Sequence, residues 1–248
     1  VPTTAGTGSE ATFAALIKDH ERKQKLLHFD RFLAPDTAIL DPTLLVSLPA
    51  RITSFTGMDA FTHAVESLHS LQSEPFADAL ALHAIRLVRE NLPRCVQRGD
   101  DLAARGRMLA AATMAGQAFS NAMVGVVHAL AHALGGRCGV PHGLANAILL
   151  PHGMVYNKEV CAERYALAAE ALGVRERGQP DAEAAFAAIE AVRDLIRAVG
   201  LPTRLRDAGV PREALADCAE QALSDGAIVY NPRPADAPGL LAVLEQAW

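Results

Sequence analysis

The sequence predicts a mainly α-helical protein preceded by a short stretch of strands. Three observations carry this reading. From Pro49 onward, apolar residues recur at helical spacing almost to the end of the chain. The 248 residues are 50% hydrophobic but only 5% aromatic, with alanine and leucine prominent, a composition that favours helix. Before Leu48, by contrast, the apolar runs are short and bounded by turn residues, as strands are.

Taken in order, Val1 to Glu10 (VPTTAGTGSE) is a hydroxyl- and glycine-rich loop. Its amides and threonines can donate to phosphate or to polar ring substituents of a cofactor, although such clusters are more often plain loops or helix caps. Thr12 to Lys18 reads as a strand and Asp19 to Lys25 as a charged turn. Lys25 to Phe29 and Thr37 to Leu40 read as two further short strands. Asp41-Pro42 starts a helix with proline in its first turn. Three short strands without a partner sheet make a poor domain, and the chain opens on Val1. Residues 1–48 are therefore expected to be the end of an α/β domain, and 49–248 a helical domain.

The helical part divides into Pro49 to Ser70, Glu74 to Glu90 and an alanine-rich Asp101 to Phe119. A helix containing His128 follows and is expected to stop at Gly135-Gly136. Pro141 opens another, reaching about Leu150. Cys161 to Leu172, Asp181 to Val199, Pro211 to Ala222 and Pro238 to Ala247 complete a bundle.

A net charge of −5 leaves no electrostatic footprint for nucleic acid or an anionic membrane. No signal peptide and no uncharged run long enough to span a bilayer is present, so neither partner is expected. The four cysteines are scattered without a CxxC pair and read as reduced thiols of a cytoplasmic protein.

Chemistry concentrates in Gly125 to Asn146 (GVVHALAHALGGRCGVPHGLAN). His128 and His132 lie four apart on one helix face, and His142 follows a glycine-rich turn. Asp59 and His63 are likewise four apart on the first long helix. One carboxylate with imidazoles from neighbouring helices suits a borderline divalent ion such as Zn²⁺ or Fe²⁺ and is wrong for Ca²⁺. By spacing alone, His128 and His132 are equally good ligands, and Cys138 could add a soft donor. The bland alternatives are satisfied core histidines, an inert buried thiol and a surface i,i+4 pair.

Four stretches, PTTAGTGSE, GMDAFTHAVE, FSNAMVGVVHALAHALGG and GVPHGLANAILLPHGMVYN, resemble in order and spacing the iron-containing (group III) alcohol dehydrogenase family. The likeness runs from Pro2 to Asn157, with Asn231-Pro232-Arg233 also similar. It implies a dehydroquinate synthase-like fold, in which a Rossmann-like α/β domain precedes an all-helical one and the active site lies between them. Residues 1–48 would be the last strands of the first domain. The family's GGGS pyrophosphate loop and its NAD-or-NADP selecting strand precede the TTAGT segment and are not in this sequence.

Position by position, the resemblance implies Asp59, His63, His128 and His142 as ligands of Fe²⁺ or Zn²⁺. His132 would be the histidine near the nicotinamide, relaying a proton or orienting substrate. Thr3, Thr7 and Lys25 would line the NAD or NADP site, while Ala14 replaces a polar contact of some relatives. His20, His28, His69, His83 and His152 carry no role and are expected to be structural or solvated. The implied activity is metal-dependent, NAD(P)-linked interconversion of a small alcohol and its aldehyde or ketone, in a homodimer. Competing readings are a polyol dehydrogenase-type relative and a metal-binding fragment without catalysis.

Overall fold

The computed structural model describes the whole chain except His20, Arg22 and Lys23, and all side chains except those of Lys18, Gln24, Lys25, Leu27 and Phe29. His20 thus lies outside the described residues, as does most of the expected charged turn. Strand β1 (Ala14–Asp19) pairs with β2 (Gln24–Phe29) in an antiparallel hairpin, in register from Ala14 opposite Phe29 to Asp19 opposite Gln24. Thr37 to Leu40, expected as a third strand, is irregular backbone with Ile39 57% exposed. No described strand lies beside it to take its N–H and C=O groups, so an apolar run alone does not make it a strand. Asp41 accepts from the Thr43 amide at 2.9 Å and Pro42 takes the first helical place. The result is a short 3-10 turn, Pro42–Leu45.

Eight helices follow among the described residues: α1 (Ala50–His69), α2 (Pro75–Gln97), α3 (Leu102–Ala122), α4 (Val126–Arg137), α5 (His142–Ala171), α6 (Asp181–Ala198), α7 (Leu215–Leu223) and α8 (Ala237–Ala247). The mainly helical class expected from composition and periodicity holds. Short polar side chains start several helices: Glu74 accepts from the Phe76 and Ala77 amides, Asp101 from Ala104 and Asp236 from Gly239. No single helix among the described residues is long and apolar enough to cross a membrane.

Helix α1 is the axis of the domain. Every residue from Gly57 to His69 is buried, and α1 packs on α2, α3 and α5. Gly57 makes the α1–α2 contact possible, since a Cβ there would lie 2.3 Å from Leu92 Cδ1. The fully buried Arg105 guanidinium ties α3 to the start of α1 through Thr53 Oγ1 and the Gly99 and Leu48 carbonyls.

Two helix boundaries differ from the sequence reading. Gly135 and Gly136 do not stop α4, which continues to Arg137 with both glycines buried. A glycine costs a helix interior only about 1 kcal/mol, less than packing there returns. The helix from Pro141 does not end near Leu150 either: α5 runs to Ala171 and joins the two expected helices across a kink at Cys161.

Candidate metal centre

The centre is built from α1, α4 and the first turn of α5. Asp59, His63 and Glu66 share one face of α1, at spacings of four and three. Helix α4 begins after Gly125, which has no side chain to cap it. Two distant residues do so instead. Asn231 Oδ1 accepts from the Val126 amide at 3.1 Å, and Glu66 accepts from the amides of Val127 at 2.8 Å and His128 at 3.1 Å. A Cβ on Gly125 would lie 2.8 Å from Asn231 Oδ1 and 3.2 Å from Glu66 Oε1. Glycine is what lets both acceptors reach the helix end.

Glu66 also sets the chemistry of His128. Its Oε2 lies 2.6 Å from His128 Nδ1. A carboxylate already accepting from backbone N–H groups accepts here too, so the imidazole carries its proton on Nδ1 and a lone pair on Nε2. Burial pushes the Glu66 carboxyl above its ordinary range, while His69 and the backbone donors at the start of α4 pull it back.

Gly143 brings His142 to the same place. A Cβ at Gly143 would meet the Phe55 carbonyl at 2.2 Å, so the first turn of α5 lies directly on the α1 backbone. His142 Nε2 is then 3.5 Å from Asp59 Oδ1. One donor atom from each of Asp59, His128 and His142 falls within 4.8 Å of the others. Ligand bonds of about 2.0–2.2 Å to a zinc-like ion call for donors at such spacing. The Asn146 amide nitrogen lies 2.7 Å from Asp59 Oδ1, 3.1 Å from His128 Nε2 and 3.3 Å from His142 Nε2. It therefore faces acceptors and orients the carboxylate.

Of the four expected ligands, His63 stands apart from that cluster. Its ring is stacked between Phe119 (centroids 4.4 Å apart) and His128 (4.5 Å). Its Nδ1 is buried with no hydrogen-bond partner among the described residues. Burial holds His63 down at about 4, against the pull of Asp59, so the ring is neutral near pH 7. A neutral buried imidazole with an unpaired nitrogen beside a carboxylate and two further imidazoles is a donor set that fits Zn²⁺ or Fe²⁺.

His132 stacks on His142 at 5.2 Å between centroids, and its Nδ1 is 2.8 Å from Asp225 Oδ2. Both histidines line a cleft of about 590 Å³ together with Asp59, His63 and His128. Its walls are the Thr7–Leu16 segment, Phe119, Met123 and Val124 after α3, and Gly226, Ala227 and Tyr230. Thr7 is in the wall; Thr3 is exposed and outside it; Lys25 is in β2, its side chain outside those described. Ala14 also lines the cleft, without a polar group to offer.

Cys138 closes α4 and is not among the clustered donors. Burial raises all four thiols, Cys218 to about 12, as expected of inert cysteines. Among the histidines without a role, His28 and His83 are exposed, whereas His69 is buried with Tyr165 Oη at 2.8 Å from its Nδ1.

Sequence reasoning overlooked Glu66, Asn146 and Asp225. Glu66 had a signal: it follows His63 by three on the face that also carries Asp59, in a stretch of mostly apolar and small residues where an unpaired carboxylate would be costly. Asn146 follows His142 by four, another helical spacing. Asp225 had none, standing 93 positions from His132.

Residues 53–248 match the family described as Fe-containing alcohol dehydrogenase family, C-terminal, and residues 1–42 match iron-containing alcohol dehydrogenase. A 1,3-propanediol dehydrogenase of Klebsiella pneumoniae is 43% identical over 248 residues, 100% of this chain and 64% of the relative. An NAD-dependent methanol dehydrogenase of Bacillus methanolicus is 38% identical over 247 residues, 100% of this chain and 65% of that one. A crystal structure of 1,3-propanediol oxidoreductase superposes with a TM-score of 0.96 at 43% identity, over 99% of this chain and 64% of its own. The chain thus spans somewhat less than two thirds of these relatives' length. It belongs to the iron-containing alcohol dehydrogenase family.

Proposed function

We propose that this chain is the metal-holding part of an NAD(P)-linked alcohol dehydrogenase that interconverts a small alcohol and its aldehyde or ketone. The observation that carries the reading is the cluster of Asp59, His128 and His142 on the wall of a mostly apolar cleft. Relatives named for 1,3-propanediol and methanol support a short alcohol as substrate. On this reading residues 1–48 complete a dinucleotide-binding domain and the functional unit is a homodimer. Leu16 and Ile17 of β1 are 45% and 58% exposed, as strand residues are when a further layer covers them.

Asp59, His128 and His142 would hold Fe²⁺ or Zn²⁺, with His63 as the fourth ligand. When bound, the ion supplies Lewis acidity toward the substrate oxygen and the nicotinamide supplies the hydride chemistry. The chain does the rest. Glu66 keeps a lone pair on His128 Nε2, and Asn146 steadies the Asp59 carboxylate. Phe119, Met123 and Val124 line the cleft and would exclude water from the carbinol carbon, and Thr7, Ser9 and Thr12 line it where polar parts of the cofactor would pass. His132 exchanges the hydroxyl proton.

Asp59→Ala and His142→Ala are the direct test. Each is expected to abolish stoichiometric zinc or iron, read by elemental analysis, together with NAD(P)-linked oxidation of short alcohols and propanediols. Ordinary turnover in a metal-depleted His142→Ala protein would refute the assignment.

A further inference from the structure

We propose that Asp225 is a positioning residue that fixes His132 in the tautomer whose Nε2 accepts the substrate proton. This rests on the alcohol dehydrogenase reading given above.

The two residues come from separate elements. His132 is on α4, and Asp225 precedes the 3-10 turn Gly226–Tyr230 that walls the cleft. Each carboxylate oxygen of Asp225 is committed to a different donor. Oδ2 lies 2.8 Å from His132 Nδ1, and Oδ1 accepts from the Ala227 amide at 2.9 Å. Two fixed anchors leave the side chain no freedom to turn. Burial alone would push the Asp225 carboxyl up, but its contacts with His132 and the Ala227 amide together outweigh that and hold it below the ordinary range. The group is ionised, and an ionised carboxylate only accepts. The His132 proton therefore sits on Nδ1, and Nε2 carries the lone pair. The ring is stacked on His142 and lines the cleft together with the donor cluster.

The step balances as follows. The carbinol C–H bond breaks and its electron pair leaves with hydrogen as hydride to C4 of the oxidised nicotinamide. The O–H bond breaks, its proton forms a new bond to His132 Nε2, and its electron pair becomes the second bond of the carbonyl. The resulting imidazolium is flanked by the Asp225 carboxylate, which stabilises it without taking the proton. In the reverse direction the same imidazolium gives the proton back.

A purely structural contact between α4 and the turn predicts something different, and one substitution separates the two. Asp225→Asn preserves shape and leaves one oxygen. The Ala227 amide is a donor that cannot change, so that oxygen stays with it. The new NH₂ group then faces His132 Nδ1, which must become an acceptor, and the proton moves to Nε2. Asp225→Ala removes both contacts and leaves the imidazole free to choose. The expected result is a kcat loss of about 10²–10⁴-fold in Asp225→Asn with KM and metal content unchanged. Asp225→Ala, the cruder change, should lose less. ¹⁵N spectra of the histidines in zinc-loaded protein should show His132 protonated on Nδ1 in the unaltered chain and on Nε2 in Asp225→Asn.

An unchanged tautomer in Asp225→Asn, or a smaller kcat loss in Asn than in Ala, overturns the proposal. A chain that takes up zinc yet oxidises no alcohol with either nicotinamide refutes the activity instead, and the ¹⁵N spectra still decide what Asp225 does to His132.

Discussion

Gly125→Ala tests how far one methyl group can disturb the centre. The added Cβ would stand 2.8 Å from Asn231 Oδ1 and 3.2 Å from Glu66 Oε1, so one or both must retreat. Neither is free to do so. Asn231 exchanges two hydrogen bonds with Asn157, at 2.8 and 2.9 Å, and donates to the Arg233 carbonyl at 2.8 Å. Glu66 is held by His128 Nδ1 at 2.6 Å. Losing one helix cap costs about 1 kcal/mol, and a buried amide left without a partner about 1–3 kcal/mol. The lower entropy of alanine in the unfolded chain returns about 0.4–1 kcal/mol. The net loss is about 1–3.6 kcal/mol, or a fall of roughly 2–14 °C in Tm for a chain of this size. Displacing Glu66 also frees the proton on His128 Nδ1, and loss of such an orienting partner weakens metal binding about 10–100-fold. Thermal unfolding with and without zinc, beside a chelator competition, measures both effects. An unchanged Tm and zinc affinity would refute the capping argument. A lower Tm with unchanged zinc affinity would show that Glu66 caps α4 without orienting His128.

Two further outcomes follow from the backbone and from a buried base. Met123, in the cleft wall, has φ 66° and ψ −176°, a region almost reserved for glycine, where strain of about 1–3 kcal/mol is usual. Met123→Gly should therefore be more stable than Met123→Ala by about 1 kcal/mol after allowing for the entropy of glycine, by urea unfolding; the opposite order would show no strain. Burial, with Arg193 and Arg204 nearby, holds His152 at about 4. The unfolded chain titrates it near 6.5, so between those values the unfolded form binds more protons. Stability is then complete above about pH 6.5 and falls as pH drops towards 4. His152→Gln should reduce that acid loss by about 2–3 kcal/mol, and identical pH profiles would refute it.

What was legible in the sequence is what has a period. Asp59 and His63 are a helical spacing apart, and so are His128 and His132, so both pairs could be read on helix faces before any coordinates. What was not legible depends on which face turns inward and on who comes to meet it. Spacing could not separate His128 from His132, and both have Nδ1 against a carboxylate; what sets them apart is that His128 falls within the donor cluster and His132 does not. Nor could it show that His63 would stack on Phe119 outside the tight cluster of donors. Thr37 to Leu40 failed as a strand for a related reason, because a strand is defined by its neighbour. Gly135-Gly136 failed as a stop because burial outweighs local preference.

Asp59, His63 and Glu66 stand on one uninterrupted helix, which makes α1 a ruler as well as a support. Inserting a single residue between Asp59 and Glu66 would turn one relative to the other by about 100° and shift it about 1.5 Å. Glu66 would swing away from the start of α4, and no loop lies between the two to absorb the error. In this stretch a change of length is more damaging than a conservative change of residue such as Phe61→Leu. The turn at Gly178 is the opposite case. A side chain added there meets nothing within 4 Å, and the connection between α5 and α6 can lengthen without reaching the cleft. Insertions found in natural or engineered variants should therefore collect at that turn and be missing from residues 59–66.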